Sequence, residues 1–421
     1  MVSLLMSVAA LLLGVAIINT GNGMFSTFLS LRMNLEGFPP EVTGLVMSAY
    51  YAGMAVGART CDRLINRVGH VRAFAAFAAV VSAIVLISAF FVSPYVWGVM
   101  RATLGFCFAG LFMVVESWLN ARASVGTRGR LLSLYMMVSY LALGTGQLLL
   151  DLRDPHSRDF FLLAALFYSL SLVPLVLTSA ETPGLLQSST LRLRALYDIS
   201  PLGVLACLSS GLVTSSLYGM GAIFAQNSGF DLSEVSYFMG AAVLGGLALQ
   251  YPIGRLSDRY DRRYVILAVA LATAATALLI TALAGHAKAA MIALVCLYGG
   301  FSFTLYPLGV AHANDFVDPK DAVKASGGLL LSWGLGASWG PIAAAAMMGR
   351  LGPRGLFIFV VVVTVLLAFF TVWRMTRRPT VPLDKKEPFA PPLGVTPIGE
   401  EAARAEITGR AAEMERAASA R

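Results

Sequence analysis

The sequence has little charge for its length. Asp, Glu, Lys and Arg make up only 13% of its 421 residues, whereas 57% are hydrophobic and the mean hydropathy is +0.74. A soluble domain carries about 25% charged residues, so this chain has too few to cover a surface that faces water. The shortage excludes an ordinary soluble protein and indicates one that lies in a lipid bilayer.

Residues for metal or cofactor chemistry are equally scarce. The four cysteines are Cys61, Cys107, Cys207 and Cys296. They form no C-x-x-C pair and have no histidine at ligand spacing, so the spacing rules support neither a metal site nor a disulfide. The sequence also lacks a phosphate-binding loop and a dinucleotide fingerprint. We therefore expect no metal and no cofactor.

One motif is typical of an enzyme. Gly336-Ala-Ser338-Trp-Gly340 matches the nucleophile elbow G-x-S-x-G, but that elbow needs a strand-to-helix turn and this one lies within an apolar run. The two glycines also form G-x-x-x-G, a pattern that lets helices approach closely, as do Gly53 and Gly57. We expect helix packing at both places, and we do not expect an enzyme.

Long apolar runs are what the chain has in abundance. A helix that crosses a bilayer needs about 20 apolar residues, and continuous runs indicate helices rather than barrel strands. Twelve such runs lie near 3–31, 41–61, 70–92, 95–119, 128–151, 160–180, 200–225, 234–257, 264–284, 288–313, 324–348 and 356–375. The predicted fold class is all-α, a polytopic membrane protein with twelve transmembrane helices.

The runs divide into two similar halves. A polar stretch at 181–199 separates six runs from six, and Gly37-Phe38 recurs as Gly229-Phe230 at an offset of 192 (229 − 37). Repeats of this kind are a transporter architecture. We predict two pseudo-symmetric six-helix bundles, at 1–180 and 200–376. A cytoplasmic linker at 181–199 joins them, and a Pro-rich, charged cytoplasmic tail follows at 377–421.

Lysine and arginine are distributed unevenly among the short loops. The loops on the side of the termini carry Arg59, Arg63, Arg67, Arg72, Arg122, Arg128, Arg130, Arg192, Arg194, Arg255, Arg259, Arg262, Arg263, Lys320 and Lys324. The opposite loops carry Arg32, Arg153, Arg158, Lys288, Arg350 and Arg354. Because basic residues favour the cytoplasm, this ratio of 15 to 6 predicts that both termini are cytoplasmic. The same bias accounts for the net charge of +8, so no nucleic-acid partner is expected.

Charged loops recur at equal depth in the two halves. The second runs from Gly254 to Arg263 (G-R-L-S-D-R-Y-D-R-R) and the first from Asn66 to His70 (N-R-V-G-H). The second loop resembles the G-x-x-x-D-R-x-G-R-R motif of the major facilitator superfamily. Matching residues are Gly254, Asp258, Arg259, Arg262 and Arg263, and in the first loop Arg67 and Gly69. Asp261 replaces the second glycine, and Asn66 stands where that family usually has Asp.

A further signature of the same family is an Arg in the fourth helix with a Gly four residues on, here Arg101 and Gly105. The strings G-L-V-M-S-A-Y-Y-A-G, R-V-G-H-V-R-A-F and V-V-E-S-W-L-N resemble the YcaD-like branch of bacterial inner-membrane transporters. The resemblance covers the whole chain except the tail. It implies two halves that rock around a central cavity, in a protein of the bacterial inner membrane. It assigns no substrate.

The loop charges are expected to form a cytoplasmic gate, because carboxylates beside arginines can lock neighbouring helices through charge-assisted hydrogen bonds. The gate residues are Asn66, Arg67, Gly69, Glu116, Arg130, Gly254, Asp258, Arg259, Arg262 and Arg263. Glu116 is expected to meet Arg122, Arg128 or Arg130, and Asp315 to meet Lys320 or Lys324. Two alternatives stay open: the loop charges only set topology, and Glu116 carries a coupling proton.

Polar and aromatic groups inside the apolar runs are candidates for lining the cavity. They are Asn19, Asn22, Arg101, Tyr140, Gln147, Tyr218, Tyr298 and Trp333. Arg101 is the most informative, since a charge at membrane depth costs about 2.5–3.5 kcal/mol on the mildest scale and is tolerated beside a cavity or partner. The alternatives are an Arg that snorkels to the surface and amides or tyrosines that hold helices together.

These observations predict a monomeric secondary transporter that works by alternating access, without nucleic-acid partners. Its partners are the bilayer, a small solute and protons. The polar candidates near Arg101 slightly favour a polar or anionic solute. Efflux of amphipathic compounds is the alternative, and a non-transporting sensor or scaffold is a weaker one.

Overall fold

Helices form the whole regular structure of the described residues, 2–122, 128–177, 191–318 and 321–377, in a computed structural model. Those of the first half are α1 (Val2–Leu35), α2 (Pro40–Val68), α3 (His70–Ser88), α4 (Pro94–Arg122), α5 (Arg128–Leu148), α6 (Asp159–Leu170) and α7 (Leu172–Val176). The next are α8 (Leu193–Ile199), α9 (Pro201–Asn227), α10 (Leu232–Arg259), α11 (Arg262–Leu283), α12 (Lys288–Asn314), α13 (Ala322–Leu351) and α14 (Gly355–Arg377).

The predicted spans correspond to these helices. The sixth is α6 and α7 together, which meet at Ser171. Within the described residues, eleven stretches are long and apolar enough to cross a membrane by length and composition. The remaining span is α2, which has spanning length at 29 residues but carries several charged residues in its last turns. The all-α, polytopic fold is confirmed.

Equivalent turns precede α2 and α10. Gly37 and Gly229 both have positive φ, +75° and +88°, a backbone conformation that glycine adopts without steric cost. The second turn leads into a capping box, in which the Asp231 side chain accepts from the Glu234 backbone and the Glu234 side chain accepts in return. The turn repeat in the sequence is therefore a repeat in three dimensions.

Glycines set the closest helix pairs of each half. A Cβ atom built on Gly53 of α2 or Gly105 of α4 would overlap a backbone carbonyl of the other helix. The same holds for Gly245 of α10 and Gly299 of α12, which occupy the corresponding positions of the second half. Close backbone approach through small residues is typical of membrane helices, and here it repeats between the halves.

A second glycine-mediated pairing joins α1 to α5 and α9 to α13. Gly23 and Gly146 in the first half, and Gly211 and Gly336 in the second, each face a backbone carbonyl of the partner helix. Gly340, the other glycine of the enzyme-like motif, packs in the same way against α9. This motif therefore lies in a helix–helix contact, as its G-x-x-x-G spacing predicted.

The main helix contacts between the two halves are α1 with α9, α2 with α13, and α5 with α10, and α2 also contacts α9. Each half has its own apolar core. Of the predicted linker at 181–199, residues 181–190 lie outside the described residues and the end forms α8. The predicted tail also lies outside them from residue 378 onward.

Described polar side chains of the two halves contact each other at the end of the molecule where α1 and α9 finish. There the Asn34 Nδ2 donates to Gln226 Oε1 at 2.6 Å and to Asn227 Oδ1 at 3.1 Å. Ser233 donates to the Asp151 carboxylate at 2.5 Å. We call this the far end, and we call the opposite end, with the α2–α3 and α10–α11 turns and α8, the linker end.

Candidate functional site

A cavity of about 250 Å³ lies between the two halves. Helices α1, α2, α4 and α5 of the first half and α9, α12 and α13 of the second contribute to its lining. The lining includes seven of the eight residues predicted for it: Asn19, Asn22, Arg101, Tyr140, Gln147, Tyr218 and Trp333. The structure therefore brings together side chains from the first span and from the eleventh, which are far apart in the sequence.

Tyr298 is the predicted cavity residue that lies elsewhere. Its side chain is fully buried in the core of the second half, where its ring packs edge-on against Phe357 at 5.3 Å. Phe303 of the same helix does line the cavity. Five residues turn a helix by roughly 140°, at about 3.6 residues per turn, so the two rings lie on different faces of α12.

Arg101 lies in the cavity lining with 2% of its surface exposed. Its guanidinium is stacked over the Tyr50 ring, 4.6 Å from the centroid. Its Nη1 lies 3.4 Å from Ser26 Oγ, a long hydrogen bond, and its Nε has no acceptor among the described groups. No carboxylate of the described residues forms an ion pair with Arg101. The charge therefore faces the cavity and does not snorkel to the surface.

Two further polar atoms of the lining have no hydrogen-bond partner in the described structure. They are Asn22 Oδ1 and Ser139 Oγ. Gln147 differs, because its Nε2 donates to Gly23 O at 2.9 Å and its Oε1 accepts from Thr27 at 2.7 Å. Gln147 therefore holds α5 to α1, whereas Asn22 and Ser139 keep bonding capacity for a molecule in the cavity.

Aromatic rings form much of the remaining lining. The Phe303 ring stacks with the rings of Tyr140 and Tyr218, with centroids 6.4 and 5.7 Å away and interplanar angles of 28° and 27°. Tyr51 contacts Trp333 edge-on at 6.1 Å across the two halves. The flat rings of both halves therefore present their faces and edges to the same small space.

Sequence reasoning missed several lining residues, above all Tyr50, Tyr51 and Phe303. The tyrosines lie on α2, a span from which no cavity residue was predicted. A signal was present, because two adjacent tyrosines occur in the least apolar span. Phe303 gave no signal, since a phenylalanine in an apolar helix is ordinary.

Arg262 is the centre of the charged cluster at the linker end. It lies at the start of α11, is 1% exposed and pairs with the Asp315 carboxylate at the end of α12. It also donates to Ala311 O at 2.7 Å and lies 3.4 Å from Asp258 Oδ1 of α10. Arg262 thus joins three helices of one half. Asp315 pairs with this arginine because α11 begins directly beside the end of α12. Of its two predicted partners, Lys324 bonds Asp321 at 2.9 Å, and Lys320 lies outside the described residues.

The other residues of the second loop have different surroundings. Arg263 pairs with Asp261, the residue in place of the motif glycine, at 2.7 Å. That carboxylate also accepts from the Arg263 backbone and so caps α11. Gly254 is buried within α10 and Arg259 is exposed at its end.

The corresponding junction of the first half has a histidine in the place of Arg262. His70, at the start of α3, lies with its Nε2 3.0 Å from Ser117 Oγ of α4. Asn66 and Arg67 are exposed in the last turn of α2, and Gly69 makes the turn with φ +86°.

Glu116 is fully buried on α4 and accepts from the Tyr135 hydroxyl at 3.2 Å. The side chain of its predicted partner Arg130, in α5, lies outside the described residues, as do those of Arg122 and Arg128.

Comparison with models of protein families identifies the family of this chain. The Major Facilitator Superfamily model matches residues 11–189 and 199–409. The chain belongs to the Major Facilitator Superfamily.

Curated members of the superfamily cover most of the chain. An uncharacterized MFS-type transporter of Enterobacter sp. (strain 638) is 28% identical over 375 residues, covering 89% of this chain and 97% of the relative. The uncharacterized MFS-type transporter YcaD of Escherichia fergusonii is 28% identical over 355 residues, 84% and 92% of the two chains. The resemblance to the YcaD-like branch is confirmed.

Solved structures support the fold alone, because their identities are low. The nucleoside transporter NupG has a TM-score of 0.72 at 14% identity, over 87% of this chain and 98% of NupG. A bacterial homolog of the human lysosomal transporter Spinster, inward-facing and occupied, has a TM-score of 0.70 at 15% identity, over 90% and 97%. The protein is therefore a multi-pass membrane transporter of the superfamily and not an enzyme.

Proposed function

We propose that this superfamily member moves a small polar or anionic organic solute through the central cavity by alternating access. The observation that carries the proposal is Arg101, a buried cation in the cavity lining without a carboxylate partner among the described residues. A buried charge without a partner is costly, so an anionic solute would relieve that cost when it enters. Rocking of two repeats around a fixed site would then release it on the other side.

Within this proposal, transport is linked to protons. The described lining has no aspartate, glutamate or histidine, so the proton carrier must lie outside it. Glu116 suits the role, because it is buried, hydrogen-bonded to Tyr135 and four residues from the lining residue Phe112 on the same helix.

We propose a different role for the charged residues that were predicted to form a cytoplasmic gate. The described contacts of Arg262 hold α10, α11 and α12 together. In this proposal, the charged cluster makes the second half move as one body. We further propose that the linker end is cytoplasmic, that the protein lies as a monomer in the bacterial inner membrane, and that the predicted bundle, linker and tail boundaries hold.

Efflux of amphipathic compounds is the second candidate function. The observation in its favour is the lining itself, which contains several aromatic rings and the methionines Met47, Met54 and Met136. The volume of about 250 Å³ favours the first candidate, since drug-sized ligands use sites of roughly 300–1,000 Å³. A sensor or scaffold role has no supporting observation in the described residues.

Flux into proteoliposomes tests the proposal. A panel of small anions, neutral polar solutes and amphipathic cations is offered with and without a pH gradient. We expect uptake of anions, stimulated by the gradient, and its loss in Arg101→Ala. The matched control is Arg59→Ala, which removes an exposed arginine of α2 and should leave flux unchanged. Equal flux in Arg101→Ala, or a preference for cations, would contradict the proposal.

A further inference from the structure

We propose that the cavity binds a monoanion with a flat, unsaturated body, of which an aromatic monocarboxylate is the simplest form. This inference rests on the proposed function, since it names the class of solute that the same cavity takes. Three features of the lining carry it: its charge, the bonding capacity of its polar atoms, and the arrangement of its rings.

The charge of the lining matches one negative charge. Arg101 is the single Asp, Glu, Lys, Arg or His in the described lining. A cation in the cavity would add a second positive charge to a buried site, and a dianion would leave one negative charge uncompensated. Both are costly away from water. A monoanion is the species that brings the occupied cavity to neutrality.

The shape of the Arg101 environment favours a carboxylate. The Arg101 guanidinium carbon lies over the Tyr50 ring, 4.6 Å from its centroid, and the N–H donors of a guanidinium lie in the plane of the group. The Nε is unpaired and Nη1 makes a long contact with Ser26. A planar guanidinium with free edge donors binds a carboxylate through two parallel hydrogen bonds.

The remaining polar atoms suit a small substituent on the same molecule. Asn22 Oδ1 is an acceptor without a donor in the described structure, and Ser139 Oγ is also unpartnered. Both line the cavity with Arg101. Buried polar atoms normally have a partner, so a hydroxyl or amino group on the solute would satisfy them. We therefore expect hydroxyl-bearing members of the class to bind more tightly than the parent compound.

The aromatic lining suits a flat body. The Phe303 ring stacks with Tyr140 and with Tyr218, at interplanar angles of 28° and 27°, and all three residues line the cavity. Aromatic rings stack in this way with centroids about 4.5–7 Å apart, so a planar group in the cavity can pack against them. Phe303 belongs to the second half and Arg101 to the first. One solute would thus contact both halves, the charge in one and the body in the other.

Equilibrium binding to the purified full chain in lipid nanodiscs tests the inference. The probes are benzoate, benzamide with the same shape and no charge, terephthalate with two charges, benzylammonium with the opposite charge, and cyclohexanecarboxylate with the same charge and a non-planar ring. Because a hydrogen bond to a charged group contributes about 1.5–3 kcal/mol, we expect benzoate to bind roughly tenfold or more tightly than benzamide. We expect cyclohexanecarboxylate to bind more weakly than benzoate, and terephthalate and benzylammonium to bind least.

Substitutions distinguish the contribution of the Arg101 charge from that of the Phe303 ring. Arg101→Gln should weaken benzoate at least tenfold and leave benzamide unchanged. Phe303→Leu should weaken benzoate more than cyclohexanecarboxylate. Arg59→Gln, on the exposed surface of α2, is the control and should change neither. If Arg101→Gln fails to fold, Arg101→Lys keeps the charge but loses the bidentate geometry, and it should also weaken benzoate.

The outcomes distinguish this inference from the function on which it rests. If anions cross the membrane but cyclohexanecarboxylate or terephthalate binds as well as benzoate, the inference is wrong and the proposed function stands. If benzoate binds as expected but no compound crosses, the inference stands and the proposed function is wrong. If benzylammonium binds more tightly than benzoate, both are wrong.

Discussion

The Arg262 guanidinium and the Asp315 carboxylate form an ion pair between the start of α11 and the end of α12, with 1% and 2% of their surfaces exposed. At the equivalent junction of the first half, His70 stands in the place of Arg262, and its Nε2 lies 3.0 Å from Ser117 Oγ. Among the described side chains, the two halves therefore differ in what joins their third and fourth helices: an ion pair in the second half and a His–Ser contact in the first.

Removing the charge of Asp315 should destabilise the protein. Asp315→Asn keeps the size of the side chain but removes the buried ion pair and leaves Arg262 with the partly exposed Asp258 carboxylate at 3.4 Å. Breaking a buried pair completely costs about 3–5 kcal/mol, so we expect a loss of stability smaller than that. We expect a clearly lower unfolding temperature for the detergent-solubilised protein. The control is Asp321→Asn, because the Asp321–Lys324 pair is 44–45% exposed and such pairs contribute about 0–1 kcal/mol. Equal unfolding temperatures for the two variants would show that the buried pair is not a stability element.

A methyl group at Gly105 should disturb the α2–α4 contact. Its Cβ would overlap a backbone carbonyl of α2, and a helix backbone cannot move aside as a flexible side chain can. We expect Gly105→Ala to lower both the yield of folded protein and its unfolding temperature. Gly334→Ala is the matched control, because no atom lies within 4 Å of its added Cβ and alanine is the better helix former by about 1 kcal/mol. A stable Gly105→Ala and an unstable Gly334→Ala would contradict the packing described.

The hydroxyl of Tyr298 should be dispensable. It is buried and makes no hydrogen bond of normal geometry in the described structure, and the nearby Ser302 hydroxyl lies 3.5 Å from Gly299 O as a donor. Removing a poorly satisfied polar group from a core is neutral or stabilising. We expect Tyr298→Phe to unfold at the same or a higher temperature and to transport at the normal rate. If transport is lost while stability is unchanged, this prediction is wrong and the Tyr298 hydroxyl takes part in transport.

Glu116→Gln tests the proposed proton link. The variant cannot ionise, so we expect a pH gradient no longer to stimulate flux, while exchange of solute without a gradient continues. Tyr135→Phe serves as a comparison, because it removes the hydrogen bond at 3.2 Å but keeps the carboxyl group, and it should retain the stimulation. If Glu116→Gln still responds to the gradient as the natural protein does, the proton carrier lies elsewhere.

The fold was largely predictable, because its helices, its repeat and its cavity each produce a recognisable pattern in a single sequence. The length of the apolar runs predicted the helices, and the repeated turns at Gly37 and Gly229 predicted the two halves. Charged or polar residues within apolar runs predicted that Arg101 and Asn22 line the cavity, and both are found there. A polar group at membrane depth is informative because it is energetically costly unless it lies beside a cavity or a partner.

Partners and helix faces could not be predicted from the same signals. The pairing of Arg262 with Asp315 depends on where α11 meets α12, and Lys324 was an equally good partner by sequence distance. The placement of Tyr298 in the core and Phe303 in the cavity depends on the rotation of α12 within its half. Apolar helices buried on several sides show little periodicity, so nothing in the sequence fixes that rotation.

The most direct test of alternating access is a reversible bridge across the far end, where Asn34 and Gln226 lie 2.6 Å apart at their side-chain amides. Asn34→Cys and Gln226→Cys are combined in a chain without its natural cysteines and joined by a short bis-methanethiosulfonate reagent. We predict that the bridged protein loses at least nine-tenths of its flux in proteoliposomes, about one order of magnitude, and that a reductant restores it. Each single-cysteine variant treated with the reagent should keep its flux. Undiminished flux in fully bridged protein would contradict alternating access, because the halves would not need to separate at this end.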